Sequence, residues 1–394
     1  MSVLARGSIV TVAAGILCLW AVSNPDTANA HAVVQDTAGV HTVAPVADSL
    51  DDGPHIYWKT SSDAIVFYQC DGSIDARQYK VKGTLRFNGF CSDSATEYVI
   101  AAKAPKVEPY AYRNVSKIFG VSDIHGEYEA LVDLLEAAGI IDQTLHWSWG
   151  DGHLVVVGDV FDRGDKVTEC LWLLYRLEQE AREAKGRVHV LLGNHEVMVL
   201  QNDLRYVNEK YTEGIVKSVG ITYTDLYGPD MELGRWLRSK HTAIKLNDIL
   251  FVHGGLPPLT AANDVSLKAL NELTRETVDS RSYVRVFNEE VRKHYGHTDE
   301  GPFWFRGYHN GMADRYPHVT SEQVDSIIDA YDVGTIVVGH TEVEGGIESL
   351  YDGRVIGIDV QLEKLGSFQG LLWQDGQLFR VLGDGTRETL TGEG

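Results

Sequence analysis

Residues 154–164 read Leu-Val-Val-Val-Gly-Asp-Val-Phe-Asp-Arg-Gly: an apolar run, Leu154 to Val157, that breaks into a glycine and two aspartates. The run has the length and branching of a buried strand. The carboxyl end of such a strand is where α/β sheets present polar groups to a ligand. The same punctuation recurs on both sides. Lys117–Ser122 reads as a strand leading into Ser122-Asp123-Ile124-His125-Gly126, and Val188–Leu192 leads into Gly193-Asn194-His195-Glu196. Ile249–Val252 runs into His253-Gly254-Gly255, and Thr335–Val338 into Gly339-His340. Helices are predicted between them. Glu127–Ala138 sets Leu131, Leu134, Leu135 and Ala138 along one face and ends at Gly139, and a second helix covers Lys166–Ala184. Residues 262–331 read as mostly helical, with Thr320 and Gln323 forming a capping box before Val324, Ile327, Ile328 and Tyr331. Arg354–Leu382 returns to short strands. The alternation defines an α/β chain.

Taken singly, each block has a plain structural reading. Asp123 or Asp162 caps a helix, Asn194 holds a left-handed turn, and His253 or His340 is a hydrogen-bonded core histidine. Taken together, five strand ends each bring Asp, Asn or His beside a glycine, and a shared metal site explains them better. Carboxylate and imidazole suit manganese, iron and zinc without any thiolate. Asp123, His125 and Asp159 are candidates for one ion, and Asp159, Asn194, His253 and His340 for a second, with Asp159 bridging. Two divalent ions set against two carboxylates make a cationic pocket that attracts phosphate. Arg163 can grip phosphate oxygens bidentately. Arg306, in Phe303-Trp304-Phe305-Arg306-Gly307-Tyr308, has two readings: a second phosphate clamp, or a solvated surface arginine. The neighbouring aromatics Phe303, Trp304, Phe305 and Tyr308 either pack against a phenyl ring of a substrate or belong to the core. His195, next to Asn194 but pointing elsewhere in an extended turn, is a candidate general acid, with Asp162 orienting it.

The series SDIHG, GDVFDRG, GNHE, HGG and VGH resembles, in order, the motifs of the phosphoprotein phosphatase branch of the metallophosphoesterases, over roughly Ile118 to Leu382. The WFRGY and VGHT blocks are similar to the bacterial Shewanella-like subgroup. The resemblance implies a four-layer α/β (α+β) fold with a central β-sandwich flanked by helices. It also implies the metal ligands named above, an Asp162–His195 acid dyad, and phosphate held by Arg163, Arg306 and Asn194. The activity implied is hydrolysis of phosphoproteins by a metal-bridging hydroxide, with two ions per chain and phosphotyrosine or aryl phosphates favoured. Ser122 stands where eukaryotic members carry glycine, and IGIDVQLEKLGSFQG replaces their C-terminal aromatic motif.

The 394 residues carry a formal charge of -21, which argues against nucleic acid as a partner. Arg6, the uncharged run Ile9–Val22 and Ala28-Asn29-Ala30 form a signal-peptide pattern over residues 1–30. The expected mature chain starts near His31, is secreted or periplasmic, and has no stable membrane insertion. Residues 31–110 read as a flexible leader followed by a small β-rich unit, and 111–394 as the catalytic domain. Cys70 and Cys91 share the β-rich stretch and are the likelier disulfide, while Cys170 lies among Leu171, Leu173 and Leu174 in a helical pattern. Three rival readings exist, of which a purely structural secreted β-protein does not explain the strand-end Asp, Asn and His blocks. A diadenosine-polyphosphate hydrolase shares most ligands but fits poorly with GNHE and export. An inactive metal-binding interaction protein would not need Asp162, Arg163 and His195 intact.

Overall fold

The computed structural model describes residues 50–89, 91, 94–279, 301–309, 317–360 and 362–390. The expected signal peptide, most of the expected leader, and residues 280–300 and 310–316 of the expected helical stretch lie outside them.

The chain divides into two compact units, residues 1–102 with 208–226, and residues 103–207 with 227–394. This differs from the expected 31–110 and 111–394 division in two places. The boundary falls before the Pro-containing linker, and Asn208–Leu226, expected inside the catalytic domain, groups with the N-terminal unit. The reason is local. Leu50 and Gln69 lie against Gly214, so this segment packs on the N-terminal sheet.

The N-terminal sheet is an antiparallel meander of β1 (Asp52–Thr60), β2 (Asp63–Cys70) and β3 (Ser73–Lys80), with a hairpin of β4 (Thr84–Asn88) and β5 (Glu97–Ala101) beside it. Asp71-Gly72 makes the predicted turn, with both residues at positive φ. Ala64, Val66, Phe67 and Tyr68 are buried on β2, and Phe87 stacks on Tyr98 with centroids 5.0 Å apart. Cys70 and Cys91 form a disulfide, and Cys170 is a buried free thiol.

The larger unit holds two six-stranded mixed sheets. In chain order its strands are β6 (Ala111–Tyr112), β7 (Lys117–Val121), β8 (His153–Val156), β9 (Arg187–Val190), β10 (Ala243–Leu246), β11 (Ile249–Val252), β12 (Thr335–Val338), β13 (Glu348–Leu350), β14 (Val355–Gly357), β15 (Gly370–Gln374), β16 (Gln377–Val381) and β17 (Arg387–Thr389). One sheet has the order β17-β16-β15-β7-β8-β9 and the other β13-β14-β12-β11-β10-β6. The sheets share a core: a side chain at Gly120 on β7 would touch Phe251 of β11 at 3.5 Å and Ile358 at 3.6 Å. Helices α1 (Tyr128–Ala137) and α2 (Val167–Glu183) serve the first sheet, and α3 (Asn194–Leu200) opens directly after β9. Helices α4 (Leu267–Thr277) and α5 (Ser321–Tyr331) send Leu267, Leu270, Val324, Ile327 and Tyr331 into one cluster with Leu250, Val252, Ile336 and Val338 of the second sheet. Helix α5 starts on the predicted capping box, where Thr320 Oγ1 accepts from Gln323 N and Gln323 Oε1 accepts from Thr320 N. Among the described residues, no helix is long and apolar enough to cross a membrane.

Parallel pairing fixes where the loops go. β7, β8 and β9 run parallel, as do β11, β12 and β14, so the turns that follow them open at common strand ends.

Candidate metal centre

All five strand-end blocks converge. Asp159 is the hub. Its Oδ2 lies 3.2 Å from His253 Nε2, 3.8 Å from His195 Nε2 and 3.9 Å from His125 Nε2. Its Oδ1 accepts from His195 N at 3.0 Å. Asn194 Oδ1 accepts from His253 Nε2 at 2.9 Å, which brings the amide into the same ring of groups. Two sets of side chains place ligand atoms within 4.8 Å of one another: His125, Asp159 and His195, and Asp159, His253 and His340.

The backbone around these residues is unusual for the same reason throughout. Asp123, His125, Asp159, Asp162, Arg163 and His340 all have positive φ, between 48° and 71°. Left-handed backbone disfavours side chains in general, yet Asp, Asn and His tolerate it several-fold better than most, so the ligand chemistry and the turn chemistry select the same residue types. Glycines supply the close approaches. A Cβ on Gly158 would lie 2.7 Å from the Gly193 backbone and 2.8 Å from His253 Nδ1, and one on Gly193 would run into the Asp159 carboxylate.

Hydrogen bonds aim the imidazoles. His125 Nδ1 donates to Phe161 O and His253 Nδ1 to Val157 O, each at 2.7 Å, which turns both Nε2 atoms toward Asp159. His340 Nε2 is buried and, among the described residues, has no hydrogen-bond partner. An inward-facing imidazole nitrogen without a donor, beside a buried carboxylate, is what a divalent cation would satisfy, so the residues present fit metal. The electrostatics agree. Burial opposes charge on Asp159, but His253, His195 and His125 outweigh it and hold the carboxyl well below its usual range. Burial likewise opposes charge on His253, yet Asp159 and Asp123 hold its pKa up at about 10. Burial drives His125 down to about 3. The field at the hub favours positive charge.

Asp123 stands apart from both sets. Its Oδ2 accepts from Ser122 Oγ at 2.5 Å and from His340 N at 3.0 Å. Ser122, the departure from the eukaryotic pattern, thus serves a ligand candidate directly. His195 occupies the place in the first set that the sequence reading gave to Asp123. It also lies in the first turn of α3 rather than in an extended turn. Consecutive helical residues project about 100° apart, which separates its ring from the Asn194 amide. Its Nδ1 donates to Asp162 Oδ2 at 2.6 Å, as the dyad requires. Burial lowers the His195 pKa, but Asp159 and Asp162 override it and raise the group.

The arginines differ. Arg163 is about half exposed, with Nη1 3.9 Å from Glu342 Oε1 and its amide bonded to Tyr206 O. Arg306 is half-buried and donates from Nη1 to His340 O at 2.6 Å, so it is not a solvated surface arginine. Its loop is pinned to the His253 turn, because Gly254 N and Gly255 N both donate to Pro302 O. The aromatics divide as well. Phe303, Phe305 and Tyr308 are core, while Trp304 stays half-buried with its ring edge-on to His340 at 5.7 Å.

Two residues were missed by sequence reasoning. Glu196 is fully buried, and its carboxylate accepts from four backbone amides: Asp159, Val160, Phe161 and Gly193. It holds the hub turn against the start of α3, and burial and Asp159 raise its pKa to about 6. The GNHE block displayed it. Tyr206, 48% exposed, lies 5.3 Å from the His195 ring. Nothing in the local pattern around Tyr206 marked it.

A cluster of Asp, Asn and His at the strand ends of two mixed sheets is the frame of a metallophosphoesterase, and the comparisons agree. Residues 116–344 match the calcineurin-like phosphoesterase family, and the chain belongs to it. It is a phosphatase of that family, with relatives among the Shewanella-like protein phosphatases. It is 27% identical to Shewanella-like protein phosphatase 2 of Arabidopsis thaliana over 66% of this chain and 74% of that protein. It is 31% identical to Shewanella-like protein phosphatase 1 of Plasmodium berghei over 57% of this chain and 61% of that protein. Among solved structures, the cold-active protein-tyrosine phosphatase of a psychrophilic Shewanella species superposes with a TM-score of 0.77 at 35% identity. That match covers 86% of this chain and 99% of the other.

Proposed function

We propose that the protein is an exported phosphomonoesterase that acts on phosphoproteins with a preference for phosphotyrosine and other aryl phosphates, using two metal ions of the manganese, iron or zinc type. The observation that carries the reading is the single oxygen, Asp159 Oδ2, ringed by three imidazoles at 3.2–3.9 Å with the Asp162–His195 pair beside it. Asp123, His125, Asp159, Asn194, His253 and His340 would hold the ions. When bound, such ions acidify water and offset phosphate charge.

The chain's own groups do the rest. Arg163, exposed at the rim, and Arg306, fixed beside His340, offer guanidinium donors to the phosphoryl oxygens, with Asn194 beneath. His195, its Nδ1 proton engaged by Asp162, presents Nε2 toward the hub and can deliver a proton to a leaving oxygen. A phenol leaves with a pKa near 10 and needs that proton far less than an alkoxide does. Trp304 beside His340 and Tyr206 beside His195 provide apolar ring faces at the site, which supports an aryl substrate. The similar Shewanella enzyme is itself described as a protein-tyrosine phosphatase, in keeping with that preference.

Export rests on the pattern in residues 1–30 and is supported by the Cys70–Cys91 bridge, since disulfides persist in oxidising compartments. The test is direct. The protein, stripped by chelator, is assayed on a phosphotyrosine peptide, a phosphoserine peptide and a diadenosine polyphosphate, with and without added manganese. Metal-restored hydrolysis that favours the phosphotyrosine peptide is expected. Preference for the dinucleotide, or no metal dependence, overturns the reading.

A further inference from the structure

The strand ends hold one more buried carboxylate that the ligand set above does not use. Asp359 follows β14 as His340 follows β12, and the two strands are parallel neighbours with Val338 paired to Gly357. The register continues past the strands. Ile358 N donates to Val338 O at 2.8 Å, and Val343 N donates to Asp359 O at 2.8 Å. Asp359 therefore stands next to His340 at the end of the sheet, on the side where Asp123 accepts the His340 amide.

Its side chain is 6% exposed, and among the described residues its carboxylate has no hydrogen bond and no ion pair. Burial, and then the carboxylates of Asp123, Glu342 and Asp159, oppose its charge and outweigh His253, which favours it. A buried carboxylate in that company is costly unless it is paired or coordinates a metal. His340 Nε2, likewise buried without a partner among the described residues, supplies the second sign that a cation belongs there.

The geometry points to Asp359 as a third carboxylate of the metal centre, beside His340, reaching the ion that His340 would hold, directly or through one bound water. This rests on the metal-centre reading above and adds a residue to it. Its charge changes the balance of the pocket. Two divalent ions against Asp123, Asp159 and Asp359 leave about one net positive charge rather than two, so Arg163 and Arg306 carry more of the work of attracting phosphate.

The test uses the full chain stripped of metal and titrated with manganese, by calorimetry and by the electron-spin signal of free manganese. The wild type should take two ions. Asp359→Asn should lose about 10- to 100-fold in affinity for one of them, the range for carboxylates that support a metal site. Asp359→Glu should recover most of it. The stripped Asp359→Asn protein should melt no lower than the stripped wild type, because asparagine replaces a carboxyl whose charge burial and its acidic neighbours already oppose. Two ions bound by Asp359→Asn with wild-type affinities would overturn the assignment while leaving the metal centre standing. A wild type that binds no manganese would overturn both. If Asp359→Asn fails to melt cooperatively, Asp359→Ser in the same titration decides by the same criterion.

Discussion

The larger unit buries two groups of histidines; burial lowers His125 and His340 in the first as it does the second group, but only the first has members that carboxylates hold up. At the strand ends, His125, His195, His253 and His340 surround the Asp159 carboxylate. Near the start of the same strands, His153 on β8 and His189 on β9 share a 3.0 Å hydrogen bond, with the Tyr112 ring against both. His241, just before β10, donates to Glu108 O. Among the described residues, no carboxylate hydrogen-bonds to the rings of this second group. Burial then dominates, driving His153 and His241 down to about 4 and holding His189 well below its usual range. At the strand ends the carboxylates reverse the balance for His253 and His195. Burying histidines does not make a site. A buried anion at their centre does.

Three substitutions sharpen or break that contrast. The largest effect is expected from Asp159→Asn, which removes the hub charge but keeps its shape. Turnover of an aryl phosphate with saturating manganese should fall by on the order of 10³-fold or more, since the pocket loses its shared ligand. Retention of near-wild-type turnover would show that the imidazoles hold metal without it. His195→Asn comes next. It should cost about 10²-fold on a phosphoserine peptide, within the usual range for acid catalysis, and far less on a phosphotyrosine peptide. Equal losses on both would remove the acid role and favour His195 as a ligand, the place it takes beside His125 and Asp159.

The smallest effect concerns the second group. Unfolded His153 takes up a proton below about pH 6.5, but folded His153 does so only near 4. Between these values the unfolded state binds more protons, so stability falls as the pH drops through the window and is constant above it. His153→Leu should flatten that decline by about 1–3 kcal/mol, read from urea unfolding at pH 4.5 and 7. An unchanged slope would mean that His153 is accessible to protons in the folded protein.

Much of the fold was legible because periodicity and caps speak locally. Ile249–Val252 and Thr335–Val338 are strands with the expected bounds, and α5 begins on Thr320 and Gln323 as read. β10 was not marked, because Ala-Ile-Lys-Leu is short and becomes a strand through pairing with β11. The helix Leu362–Leu365 inside the expected C-terminal strands escaped for a similar reason. Asn208–Leu226 groups with the N-terminal unit, and no local pattern reveals which core such an excursion joins. In the site, residues positioned by a strand end were singled out: Asp123, His125, Asp159, Asn194, His253 and His340. Those whose role is set across the fold were not. Asp359 carries the same strand–glycine–Asp signature in Val355-Ile356-Gly357-Ile358-Asp359, but one residue intervenes between glycine and aspartate. The fate of Phe303, Phe305 and Tyr308 depended on a loop that Pro302 fastens to the His253 turn, which spacing alone does not reveal.

The left-handed backbone at Asp123, His125, Asp159, Asp162, Arg163 and His340 has a practical consequence for mutagenesis. An alanine or valine there changes the turn as well as the chemistry, so a dead enzyme made that way reports on both. Asparagine at the aspartates, or glycine at any of the six, keeps the turn and deletes only the functional group. A substrate-trapping form of this protein is best built from those replacements.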